Sequence, residues 1–475
     1  MDTIEPRIAP GKLDLTPDLI AKMSQQGPRY TSYPTADRFT GQFCAADYQN
    51  AVAAMTGQGG VRPLSLYLHI PFCQSLCYYC GCNKIITANR SKAEVYLGYL
   101  KREVDMQAAL FGNGARVEQL HFGGGTPTYL SDAQMGELMD YLRTRFTFAD
   151  DTVGEYSIEI DPRTVDQDRI RSLRKQGFNR LSLGVQDFDA EVQKAVNRIQ
   201  PEKLTLDAIS AARKAGFRSI SIDLIYGLPK QSVATMTQTL AKVISASPDR
   251  ISIYNYAHMP ALFKSQRLID ENELPPAQTK LDMLALCIET LTNAGYVYIG
   301  MDHFAKPDDE LAVAQKSGRL QRNFQGYSTH AELDMVSCGV SAISDVAGSY
   351  AQNEKSLERY YAALDRGELP VARGLSLNDD DKVRRAVIQR LMCDFTLDVG
   401  AFEREHGIVF DEYFAAEMPK LREFAEDGLL ALGEGTVHVT NKGRLLIRNV
   451  AMAFDAYLGK PNLVPLQRMQ YSKTI

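Results

Sequence analysis

Leu64-Ser-Leu-Tyr-Leu-His-Ile-Pro-Phe-Cys-Gln-Ser-Leu-Cys-Tyr-Tyr-Cys-Gly-Cys82 is the stretch that decides how the chain is read. Residues 64–70 form a short apolar, β-prone run and predict a strand. Four cysteines then fall within ten residues, Cys73, Cys77, Cys80 and Cys82, spaced C-x3-C-x2-C-x-C. The other four of the eight, Cys44, Cys287, Cys338 and Cys393, are scattered. A disulfide framework would spread its cysteines to close long loops, so this crowding reads as a metal site. Structural zinc usually takes two cysteine knuckles about a dozen or more residues apart, and no second knuckle is present. A single compact loop suits an iron–sulfur cubane better. Three thiolates leave one iron open, as a catalytic metal requires. Cys82 lies only two residues beyond Cys80, an awkward spacing for neighbouring corners of one cube. It reads as a fourth thiol beside the site.

Outward from this loop the chain alternates strand and helix. Strands are expected at 117–122, 156–161, 180–185, 219–227 and 251–257, with a short one at 296–300. Helical spacing covers 91–111, 131–146, 166–177, 201–216, 232–247 and 277–294, and Gly177, Gly216 and Gly295 stop three of these helices. Such alternation predicts a parallel sheet with right-handed crossovers, either open or curled into a barrel. The cysteine loop leaves the first strand at its carboxyl edge, where parallel sheets place their sites. Residues 1–60 break the rhythm and read as an N-terminal arm, with Gly27-Pro-Arg-Tyr-Thr-Ser-Tyr-Pro-Thr35 extended. Residues 61–370 would form the catalytic barrel and its extension. Residues 371–475 read as a mainly helical domain, with helices at 379–395 and 411–427, a hairpin at 429–440 and a last helix from 441, a winged-helix-like pattern.

Composition narrows the function classes. The 475 residues exceed the roughly 250–300 at which one core stops growing. With 45% hydrophobic and 23% charged residues the chain is an ordinary globular protein. Its 53 basic and 58 acidic residues give a net charge of −5, so no whole-chain field favours nucleic acid or anionic membrane. Met1-Asp-Thr-Ile-Glu-Pro6 does not look like a signal peptide, and no apolar run approaches the roughly 18 residues of a membrane span. A cytoplasmic protein without nucleic-acid or membrane partners is expected, and a monomer is compatible with the sequence.

The cysteine loop resembles that of radical S-adenosylmethionine (SAM) enzymes, in which the open iron of a [4Fe-4S] cluster binds the methionyl end of SAM. Together with His121-Phe-Gly-Gly-Gly-Thr-Pro127, Gly184-Val-Gln-Asp-Phe188 and Asp223-Leu-Ile-Tyr-Gly-Leu-Pro229, it resembles the oxygen-independent coproporphyrinogen III oxidase (dehydrogenase) family. Pro28–Pro34, Gly300–Ala305, Arg322–Tyr327 and Lys442–Arg448 extend the likeness over nearly the whole chain. The resemblance implies an incomplete (β/α)6 barrel and an oxidoreductase of haem and porphyrin biosynthesis. It would decarboxylate two propionates of coproporphyrinogen III to vinyls, giving protoporphyrinogen IX, with an electron donor and acceptor the sequence does not name.

Site residues follow from the same likeness. Cys73, Cys77 and Cys80 would hold the cluster. Gly124, Gly125 and Thr126 would hold SAM's amino group, although three glycines also suit a tight turn. Glu159 sits among apolar neighbours, where a carboxylate needs a ligand or a salt bridge. Gln186, Arg198 and Asp223 stand at or just beyond strand ends, Asp223 suited to ribose hydroxyls and Arg198 to a carboxylate. Tyr67 shares a strand face with His69 and is the better SAM contact. The resemblance also implies a second SAM beside the first, met by Tyr79, Gly125, Thr126, Ala257 and Ile343, although Ala257 and Ile343 by themselves look like core residues. Arg29, Lys84, Arg322, Arg444 and Arg448 are candidates for the substrate's carboxylates, each also readable as a solvated surface charge. The alternatives are a haem-binding chaperone-type relative, which typically lacks the counterparts of Cys82 and the arm, and a zinc-stapled nucleic-acid module.

Overall fold

The computed structural model describes residues 16–57, 62–112, 114–330 and 333–458, with Tyr471 and Thr474; the stretch read for targeting lies outside these. The chain forms two compact units. One comprises the described residues of Phe39–Pro275 and Glu332–Ser376, the other those of Met1–Arg38, Pro276–Ala331 and Leu377–Ile475. This division cuts across the three consecutive segments expected from composition.

The first unit holds the parallel sheet. Its strands are β1 (Leu64–Ile70), β2 (Arg116–Gly124), β3 (Glu155–Ile160), β4 (Arg180–Gln186), β5 (Ser219–Tyr226) and β6 (Arg250–Asn255). Each pairs in parallel with the next, so spatial order follows chain order. Helices Ser91–Phe111, Asp132–Arg145, Gln167–Lys175, Glu202–Ala215 and Val233–Ala246 make the crossovers. Their ends follow local chemistry: Ser131 and Gln134 form a capping box, and Gly216 closes a helix at φ +81°. Leu64, Leu66, Leu68 and Ile70 of β1 are at most 2% exposed, and Ser65 is buried on the opposite face. A strand covered on both sides is what a parallel sheet with helical crossovers demands.

The sheet does not close. On its free side β1 pairs in parallel with β7 (Asp334–Cys338), and the antiparallel strands β8 (Ile343–Val346), β9 (Ser349–Asn353) and β10 (Val371–Ser376) follow. This settles the choice between open sheet and barrel as a six-stranded partial barrel. The antiparallel extension was not expected, because its strands are short and polar, with Ser344, Asp345, Gln352, Asn353 and Arg373 among them. Helix Ala45–Gly57 also interrupts the expected arm; only Tyr48 and Val52 of it are buried, too few for a visible stripe.

In the second unit, helix Asp379–Cys393 leads into an antiparallel sheet of Thr396–Asp398, Thr436–Val439 and Leu430–Gly433, one strand more than the expected hairpin. The helix expected at 411–427 is two pieces, Phe410–Tyr413 and Met418–Glu426, with Pro419 opening the second. Segment 27–34 is fastened within this unit. Arg448 donates to the carbonyls of Pro28 (3.0 Å) and Gly27, Tyr30 donates to Asp455 (2.9 Å), and Arg29 pairs with Asp302 (2.7 Å).

Candidate active site

Strand ends β1 to β5 open into one cavity of about 260 Å³. The cysteine loop forms one wall. Its entry is held from β2: Gly125 N–H donates to Ile70 C=O and Thr126 N–H to Phe72 C=O, both at 2.9 Å. A side chain on Gly125 would place its Cβ 2.7 Å from Pro71 C and O. One on Gly124, at φ +115°, would meet the His69 ring at 2.7 Å. These glycines therefore serve first to let β2 press against the loop.

The loop's exit is held as well. His69 Nε2–H donates to Asn83 C=O (3.0 Å), which leaves Nδ1 of the neutral ring to accept from Tyr67 Oη–H (3.1 Å). Burial lowers the His69 pKa and favours that neutral form. Residues 85–87 then run back along 71–73, with Ile85 N–H to Pro71 C=O at 2.7 Å and Thr87 N–H to Cys73 C=O at 3.0 Å.

The thiols differ in environment. Cys73 and Cys77 are buried, while Cys82 is exposed to the cavity. Burial pushes the Cys73 thiol up to about 11, with Thr126 Oγ1 at 3.4 Å pulling the other way. The Cys82 thiol hydrogen-bonds Cys80, which favours the Cys80 thiolate and holds Cys82 well above the usual thiol range. Arg163 and Arg198 reach Cys77 Sγ at 3.6 and 3.5 Å. Among the described residues no three His, Cys, Asp or Glu side chains close on one ion-sized point.

Side chains from β3 to β5 make the facing wall. Glu159 accepts from Gly124 N–H (3.3 Å) and His121 Nε2 (3.2 Å). Its side chain is 44% exposed, so the expectation of burial among apolar neighbours is corrected: the strand turns this carboxylate into the cavity. Gln186 ends β4 at φ +70°, a left-handed conformation that a residue with a long side chain rarely adopts. Arg198 pairs with Asp161 (3.1 Å), donates to Gly184 C=O (2.5 Å), and keeps Nε buried without a partner. Asp223 accepts from Ser182 Oγ (2.9 Å); burial raises its pKa to about 6, the Glu159 charge adds to this, and Ser182 and Ser252 oppose it.

A profile of the Radical SAM superfamily matches residues 67–243, and one of the HemN C-terminal domain matches residues 377–446. Oxygen-independent coproporphyrinogen III oxidase of Pseudomonas aeruginosa is 50% identical over 458 residues, 96% of this chain and 98% of its own. The chain belongs to the oxygen-independent coproporphyrinogen III oxidase family. The oxidase of that name from Escherichia coli K12 is 51% identical over 440 residues, 93% of this chain and 95% of its own. A solved structure described as coproporphyrinogen III oxidase (HemN) from Escherichia coli, a radical SAM enzyme, has a TM-score of 0.87 at 49% identity, covering 91% of this chain and 100% of that one.

Members of the radical SAM superfamily use a [4Fe-4S] cluster and SAM. The residues fit both groups: three thiols of one short loop for the cluster, and for SAM the buried, orphaned Nε of Arg198 together with the Glu159, Gln186 and Asp223 side chains lining the same cavity. Of the residues expected to hold the cluster and SAM, all but Tyr67, Ala257 and Ile343 line the cavity, and of the five cations expected for the substrate's carboxylates Lys84 lines it while Arg29, Arg322, Arg444 and Arg448 do not. Tyr67 stands behind Gly123, its ring stacked on His121. Ala257 is tied to Tyr79 through Gln266, whose Nε2 donates to both carbonyls (3.2 and 3.0 Å). Ile343 opens β8, and its carbonyl accepts from Ser337 at 2.6 Å. Asp161, Arg163, Ser182 and Tyr254 also line the cavity. Asp161 had a usable signal, an acid two residues past Glu159 and just beyond the end of the same strand; the other three had none.

Proposed function

We propose that the chain converts coproporphyrinogen III to protoporphyrinogen IX in haem biosynthesis by oxidative decarboxylation of two propionates to vinyls. Full-length similarity to enzymes of that name supports the reaction. The carrying observation is the cavity itself, lined by three cluster thiols together with the carboxylate and amide groups of Glu159, Gln186 and Asp223 from three successive strands and the guanidinium of Arg198 from the connection after β4. When bound, the cluster and SAM supply a one-electron route to hydrogen abstraction from an unactivated carbon. The protein supplies ligands, orientation and a shielded cavity.

In this reading Cys73, Cys77 and Cys80 hold the cluster, while Cys82 remains a thiol hydrogen-bonded to Cys80. Glu159, positioned by His121 and Gly124 N–H, accepts from the ammonium of SAM. Asp223 accepts from ribose hydroxyls, and Gln186 and Arg198 hold the polar edge of the ligand. Gly124, Gly125 and Thr126 carry the backbone against SAM. Tyr79 meets the ligand from the cavity lining, and Tyr67, Ala257 and Ile343 complete the contacts from behind the wall. All eight cysteines are free, which supports a reducing compartment and work in the cytoplasm. A monomer is the proposed state, and the electron donor and acceptor are separate molecules.

The presence of Cys82 and the arm favours an oxidase over the chaperone-type relative. The test is anaerobic: dithionite-reduced protein is examined by electron paramagnetic resonance with and without SAM, with iron and zinc analysis and conversion of coproporphyrinogen III. A cluster signal reshaped by SAM, together with protoporphyrinogen formation, is expected. Zinc without iron, or a cluster indifferent to SAM, would overturn the assignment.

A further inference from the structure

Coproporphyrinogen III bears four carboxylates, and the proposed reaction brings a propionate to a cavity already lined by Glu159, Asp161 and Asp223. Three cations line the same cavity: Lys84, Arg163 and Arg198. Both guanidiniums are committed to Asp161, Arg163 through contacts of 2.6–3.1 Å and Arg198 at 3.1 Å. Lys84 is not. Its Nζ donates to Cys80 C=O at 2.8 Å and meets no carboxylate among the described residues. An ammonium has three donors, so two remain for a ligand.

The backbone that carries Lys84 is fixed on both sides. Asn83 accepts from His69 through its carbonyl and donates through Nδ2 to Lys355 C=O (3.1 Å). Ile85 N–H is bonded to Pro71 C=O, and the strand pairing Phe72↔Ile85 follows. A flexible lysine on a rigid root, half-buried beside the cluster loop, loses little further freedom when it meets an anion. The arginines expected to share this task are not in the lining of this cavity: Arg448 holds backbone carbonyls, Arg29 pairs with Asp302, and Arg322 and Arg444 are buried over Tyr327 and Phe395.

We propose that Lys84 binds a carboxylate of the substrate, seating one propionate of coproporphyrinogen III at the rim of the cluster loop. This rests on the proposed reaction, and the SAM carboxylate is the rival source of the same chemistry. In anaerobically reconstituted holoenzyme, Lys84→Met should weaken coproporphyrinogen III binding by about 30-fold, the size expected of a charge-assisted hydrogen bond. Binding is read both as KM and as Kd from equilibrium ultrafiltration, which needs no turnover. Iron content, the KM for SAM and the SAM-induced change in the cluster signal should stay within about twofold, and Lys84→Arg should recover most of the lost affinity. Unchanged substrate affinity would overturn the proposal. So would a defect confined to SAM binding, which would assign the lysine to SAM, or a loss of iron, which would assign it to holding Cys80. Wild-type protein that binds the substrate through Lys84 but never forms protoporphyrinogen would refute the reaction and leave the lysine's role standing.

Discussion

Two edges of one cavity are built by different means. The ends of β1 and β2 contribute sulfur and backbone, and their precision comes from glycines that admit no side chain and from a loop hydrogen-bonded at entry and exit. The ends of β3, β4 and β5 contribute charged and amide side chains on an ordinary parallel sheet. The first edge is steric and all-or-none. The second is electrostatic and graded, because each group there can be weakened without moving its neighbours.

Substitution should expose that difference. The largest effect is expected at Gly125→Ala, whose Cβ must displace the Pro71 backbone: iron loading and activity should vanish together, as metal analysis would show. Retained iron would mean that the first edge yields. On the second edge, Asp223→Asn should keep the iron but lower kcat/KM for SAM by about 100-fold, a loss of charge-assisted bonds. Wild-type kcat/KM for SAM should fall as pH drops through about 6, where Asp223 takes up a proton, and the variant should lack that step. Ser182→Ala removes one bond to the Asp223 carboxylate, so the step should move to higher pH, with about a 5-fold loss at pH 6.

Support behind the first edge should register in stability alone. Glu103 is fully buried and accepts from Gly339 N–H (2.7 Å), Asn353 (2.6 Å) and Tyr360 (2.5 Å). Burial raises its pKa from 4.5 to about 7, against those three hydrogen bonds. A carboxyl raised on folding stabilises fully below its unfolded pKa and loses that contribution as pH climbs through the folded one. Wild type should therefore lose stability relative to Glu103→Gln as pH rises from about 4.5 to 7, by about 3 kcal/mol at most. Parallel curves from denaturant titrations would refute this.

The sequence carried the first edge almost whole. Cysteine spacing and the Gly123-Gly-Gly-Thr-Pro127 turn are local signals, and β1 runs over Leu64–Ile70 as read. The parallel core was legible too, because apolar runs punctuated by helices repeat along the chain. What escaped is non-local. Arg198 meets Asp161 across 37 residues, and Gln266 reaches Tyr79 across 187, so neither spacing nor periodicity announces them. Charge proved the most misleading guide. Arg448 and Arg444 look like exposed basic residues of a helix, yet both are at most 7% exposed and hold their own unit together.

The fastening of segment 27–34 also sets a schedule for biosynthesis. Arg448 meets Pro28 across 420 residues, and Asn449 meets Met23 across 426. At roughly 10 residues per second a ribosome needs about 40 s to pass between them. The unit holding the partial barrel can fold as soon as residue 376 has emerged, while segment 23–34 waits for residues 448–455. Until those partners emerge, Tyr30 and Tyr33, each at most 2% exposed in the folded protein, stay open to chaperones.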